Sequence, residues 1–84
     1  MPITPGHIEL ITPTIASQVL YHYGYGGYPP GGFFAKILTA WDSADPINSR
    51  RLSDAFPGYG AARAALGVDH SGVSALRAIS GVQA

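Results

Sequence analysis

Apolar side chains recur along this chain at intervals of three and four residues, in runs cut by Thr-Pro, Asp-Pro and Gly punctuation. That period places them on one face of a helix, and no segment has the alternation or β-branched clustering of a strand. Ile15, Val19 and Tyr23, with Ala16 and Leu20 beside them, predict a helix from Pro13 to about Tyr23. Thr12-Pro13 supplies its start: the hydroxyl accepts a first-turn N–H, and proline at the first position has no N–H to leave unpaired. Gly24 ends it in the left-handed conformation. Phe34, Ile37, Leu38 and Trp41 fall at i, i+3, i+4 and i+7 and predict a second amphipathic helix.

Asp45-Pro46 repeats the cap-plus-proline signal and opens a helix to about Phe56. Leu52, Ala55 and Phe56 should face inward, Ile47 should pack at the entry, and Arg50, Arg51 and Asp54 should face water. Phe56-Pro57-Gly58 breaks the chain; Tyr59, Ala62 and Leu66 then keep helical spacing as far as Gly67. A last helix carries Val73, Leu76 and Ile79, capped by Asp69 or Ser71 and stopped by Gly81. Thr4-Pro5 predicts a short turn over residues 5–11 inside an N-terminal segment, residues 1–12. The expected fold is all-α: a single domain, residues 1–84, of four to five short helices. Its expected core is Ile15, Val19, Phe34, Ile37, Leu38, Trp41, Leu52, Phe56, Leu66, Leu76 and Ile79.

One stretch departs from the helical pattern. Tyr21 to Phe34 holds six of the chain's eight tyrosine and phenylalanine residues, interleaved with Gly24, Gly26, Gly27, Gly31 and Gly32 and the Pro29-Pro30 pair. Those glycines and prolines predict a loop over residues 24–32. Tyr21 and Tyr23, in helical register, are expected to lid the core. Tyr25 and Tyr28, flanked by glycine, with Pro29, Pro30 and Phe33, are the candidate partner-binding residues, since tyrosine combines a large rigid face with a polar tip.

Charge sharpens that reading. Only 12% of the residues are charged, five basic against five acidic, about half the roughly 25% of an average domain. A neutral, charge-poor surface favours association with a protein partner or a homo-oligomer and argues against a partner held by phosphate charge. At 84 residues without cysteine, the chain has one small core and no disulfide to staple it. No stretch reads as a signal peptide or membrane span, so the expected location is the cytoplasm, without membrane association.

From the loop onward the chain resembles a diffuse group of small proteins encoded by bacteriophages and prophages, especially those of actinobacteria. The resemblance rests on Tyr25-Gly-Gly-Tyr-Pro-Pro-Gly-Gly-Phe-Phe34, Lys36-Ile-Leu-Thr-Ala40, Ala44-Asp-Pro-Ile-Asn48 and Ala55-Phe-Pro-Gly-Tyr-Gly-Ala-Ala62. It covers roughly residues 21–66. It implies a phage accessory protein or a small assembly component without an enzymatic signature; its site could then be the host cytoplasm or the virion.

Catalytic and ligand chemistry finds little support in the residues. The glycine-rich loop ahead of Lys36 lacks both the preceding strand and the Gly-Lys-Ser/Thr order of a phosphate-binding loop. His7, His22 and His70, with Glu9 or Asp69, have no metal-ligand spacing. Ser17, Ser43, Ser49, Ser53, Ser71, Ser74 and Ser80 read as exposed or capping positions, and no nucleophile elbow is present. The expectation is a non-enzymatic protein with no catalytic residue, metal or cofactor and no small-molecule substrate. The alternative is a weak DNA-binding regulator in which helices of residues 45–66 carry Arg50, Arg51 and Arg63 around the Phe56-Pro57-Gly58 turn. One arginine on the second of those helices is few for a reading helix.

Overall fold

A computed structural model describes residues 8–81. Among the described residues it contains five helices and no strand: α1 (Pro13–His22), α2 (Gly31–Asp42), α3 (Pro46–Ala55), α4 (Pro57–Leu66) and α5 (Val73–Ser80). The all-α expectation holds. Of the turn expected over residues 5–11, residues 5–7 lie outside the described residues; the described part closes with the Ile11 N–H donating to Ile8 O at 3.0 Å.

Two predicted starts form as their sequences dictate. Thr12 Oγ1 accepts the Ile15 N–H at 3.1 Å, and Asp45 Oδ1 accepts the Asn48 N–H at 2.7 Å, each with proline at the first helical position. The end of α1 is a Schellman motif: Tyr25 N–H donates to Leu20 O (2.9 Å) and Gly24 N–H to Tyr21 O (3.0 Å), with Gly24 at φ +86°. The start of α5 differs from expectation. Its cap position is Gly72, and Asp69 Oδ1 instead accepts the Ser71 N–H at 3.1 Å inside the preceding turn. Packing dictates this: a Cβ on Gly72 would overlap the backbone of Ala65 and Leu66, so only glycine lets α5 leave α4 so closely. The expected loop 24–32 is shorter by two residues, because Gly31 and Gly32 form the first turn of α2. First-turn N–H groups have no helical partner anyway, so glycine costs less there than in a helix interior.

Helix α1 is central and packs against α5, α4 and α2, while α3 covers α4 and touches α2. The core is Ile11, Ala16, Val19, Leu20, Leu38, Trp41, Tyr59, Ala61, Ala62, Leu66 and Leu76, with Ile15, Tyr23, Tyr25, Phe34, Ile37, Leu52, Phe56 and Ile79 partly buried around it. Every residue of the expected core is in one set or the other. Two side chains expected to face inward on α3 do not: Ile47 is 67% exposed and Ala55 is exposed. Leu52, Ser53 and Phe56 point at α4, and at 100° per residue Ile47 falls on the opposite side of the helix. The same rotation corrects the role of Tyr21. The buried face of α1 is Ala16, Ser17, Val19 and Leu20, and Tyr21 projects away from it, half exposed.

Candidate functional site

The segment from Tyr23 to Phe33 is laid on the bundle at defined points. Ser17, read from sequence as exposed, is buried in α1, and its Oγ accepts the Tyr28 N–H at 2.8 Å. Gly27, at φ +86°, sits directly on that serine; a Cβ there would stand 2.9 Å from Ser17 Oγ and 3.0 Å from its carbonyl carbon. Arg77 of α5 donates from Nη2 to Tyr25 O at 3.2 Å. The Tyr25 hydroxyl lies 2.8 Å from His70 Nδ1, and the two rings meet edge to face.

These anchors divide the candidate partner-binding residues. Tyr25 is half buried and engaged with His70 and the core, a correction to its reading as an outward contact: flanking glycines free the backbone, but the ring still finds an apolar neighbour. Tyr28 is 73% exposed and Phe33 62% exposed, beside exposed Pro29 and half-buried Pro30. Phe33 is the outer member of an aromatic ladder. It packs edge-on to Phe34 (5.0 Å) and Phe56 (6.1 Å), and Phe34 stacks flat on Tyr59 (4.4 Å). Tyr59 in turn donates from its hydroxyl to Gln18 Oε1 on α1, and burial raises its pKa.

A second cluster, not anticipated from the sequence, joins the ends of α1 and α2 to α4. Asp42 Oδ2 lies 2.7 Å from His22 Nε2; Asp42 Oδ1 accepts from the Tyr23 hydroxyl and from Arg63 Nη2 (3.2 Å). Arg63 also donates from Nε to the Tyr23 hydroxyl at 3.1 Å and lies 5.0 Å above the Trp41 ring. Burial pulls the Asp42 carboxyl upward, but the hydrogen bonds from Tyr23, His22 and Arg63 outweigh it and hold the group below its ordinary value. Burial, then the bond to Asp42, pushes the Tyr23 phenol up. Sequence reasoning missed this cluster because its partners stand 19 to 21 positions apart, beyond any local pattern.

The three arginines of the DNA-binding alternative do not form one face. Arg50 and Arg51 are exposed on α3, with Arg51 Nη1 donating to Asn48 Oδ1 at 3.3 Å, whereas Arg63 is turned inward to Asp42. Of the candidate metal ligands, His7 lies outside the described residues. His22 and His70 both flank Tyr23, at ring distances of 4.7 and 5.2 Å. Among the described residues no group of three or more His, Asp or Glu side chains is placed to hold a metal ion. No described helix is long and apolar enough to cross a membrane. The chain matches no protein-family model, no curated protein sequence and no solved structure.

Proposed function

We propose that this chain is a small non-enzymatic binding module that engages a protein partner, or a second copy of itself, through the surface of Tyr28, Pro29, Pro30 and Phe33. The observation that carries the reading is the combination of exposure and anchoring. Two large aromatic side chains stand 73% and 62% exposed on a segment whose backbone is held by Ser17 and Arg77. Such groups would lower their exposure by packing if the segment were a simple lid; held outward and pre-ordered, they bind with little further entropy loss. Tyrosine and phenylalanine in a charge-poor surround match the make-up of interface centres. The resemblance of residues 21–66 to small phage proteins supports a partner belonging to the host or to the phage particle.

The test is a pull-down from infected and uninfected host lysate, with sedimentation velocity across protein concentration, comparing the native chain with a Tyr28→Ser, Phe33→Ser variant. A partner or dimer present with the native chain and lost in a variant of unchanged stability supports the proposal. Identical association by both proteins refutes it.

A further inference from the structure

The ion-paired cluster opens on one side into a cleft of about 250 Å³ lined by Tyr23, Asp42, Arg63, Leu66, Gly67, Val68 and His70. It is separate from the Tyr28–Phe33 surface. Arg63 is locked there by Tyr23, Asp42 and the Trp41 ring, yet its Nη1 has no hydrogen bond among the described residues. A guanidinium fixed on one side presents the other as a rigid planar fork. His70 contributes a second donor. Its Nδ1 faces the Tyr25 hydroxyl at 2.8 Å, so in the tautomer where that hydroxyl donates, the ring proton is on Nε2, which is without a partner among the described residues. The residue is held in the left-handed region at φ +59°, an uncommon conformation for a non-glycine residue, though one that histidine adopts more readily than most. Leu66 is buried at the base of the cleft, and Val68 is fully exposed at its lip.

We propose that this cleft binds a carboxylate carried beside a short aliphatic group. The Arg63 fork and His70 would hold the two oxygens, and Val68 and Leu66 would cover the aliphatic part. Asp42 weighs against highly charged anions. It already neutralises Arg63, so an added negative charge meets its repulsion, half as much for a planar monoanion as for a phosphate dianion. A cationic ligand finds both Asp42 oxygens already engaged, Oδ1 by two hydrogen bonds and Oδ2 by His22, which leaves about one of the four acceptor sites. The chemistry is shared by free short-chain carboxylates and by the C-terminus of a peptide ending in an aliphatic residue.

The experiment is a ¹⁵N NMR titration following the Arg63 Nε–H and the Val68 and His70 amides. The probes are isobutyrate, a tetrapeptide ending in valine and the same peptide amidated at its C-terminus, each to about 20 mM, well above the millimolar Kd expected for so small a contact. The expected result is a saturable shift at all three reporters with isobutyrate, the free-acid peptide or both, none with the amide, and still Tyr28 and Phe33 signals. Response to the peptide alone identifies a chain terminus as the ligand; response to isobutyrate alone identifies a small molecule. Val68→Ser, which cannot disturb the core because the side chain is fully exposed, should weaken binding about fivefold. Absence of a saturable shift, equal shifts with sodium chloride, equal binding of the amide, or an unchanged Kd in Val68→Ser overturns the proposal.

Discussion

Gly24 and Gly27 share the same positive φ, +86°, but not the same surroundings. An alanine at Gly24 meets nothing within 4 Å, so Gly24→Ala should cost only the left-handed penalty, about 1–2 kcal/mol. Gly27→Ala carries that penalty and also drives a methyl into the buried Ser17. The cheapest escape is for the loop to lift off α1. That breaks the Tyr28–Ser17 hydrogen bond, at about 1 kcal/mol, and strains the Tyr25–His70 and Arg77–Tyr25 bonds, each of similar size. Gly27→Ala should therefore be destabilised by about 3–4 kcal/mol, roughly 2 more than Gly24→Ala. A domain of this length has about 4–12 kcal/mol in total, so both variants should remain measurable. Urea unfolding followed by Trp41 fluorescence reads the difference directly, with the slope checked for constancy. If the two variants lie within about 0.5 kcal/mol of each other, the loop is not seated on Ser17, and the pre-ordered surface loses its physical basis.

Other outcomes follow from the same geometry. Tyr28→Ser and Phe33→Ser should each shift the urea midpoint by less than the equivalent of about 0.5–1 kcal/mol, because both side chains are mostly exposed; a larger loss would make them core residues. Leu38→Ala, at a fully buried position, should cost about 2–5 kcal/mol and bring the chain near its unfolding limit, as read by thermal melting. The Asp42 carboxyl has its pKa lowered on folding, so its contribution is present above the unfolded value near 3.8 and is lost as pH falls through the folded value. Asp42→Asn should thus be less stable than the native chain at pH 6 and approach it in the acid range, in urea midpoints taken from pH 2.5 to 6. A difference that stays constant with pH would show that the charge is not what matters. A gel shift at about 50 mM salt should show no DNA complex at micromolar protein, since Arg63 is turned to Asp42 and phosphate contacts are strongest in that salt range.

Features that depend on neighbours within a turn or two were legible from residue order. Thr12-Pro13 and Asp45-Pro46 opened helices because a capping oxygen and a fixed φ act within three residues. Gly24 closed α1 because the left-handed cap is a local backbone property. The three-and-four spacing made Val19, Leu38, Trp41, Leu66 and Leu76 legible as core. Which side of each helix meets which neighbour was settled by the packing of the bundle. That turned Tyr21 and Ile47 outward, drew Tyr25 inward to His70, and buried Ser17 beneath Gly27. It also assembled Asp42, His22, Tyr23 and Arg63, whose attraction exists only once three helix ends meet. Helical periodicity states that a face is apolar. Its partner, and the polar groups trapped at the seam, follow from how close two backbones can come, which in this chain turns on Gly27, Gly60 and Gly72, where a Cβ would strike another segment.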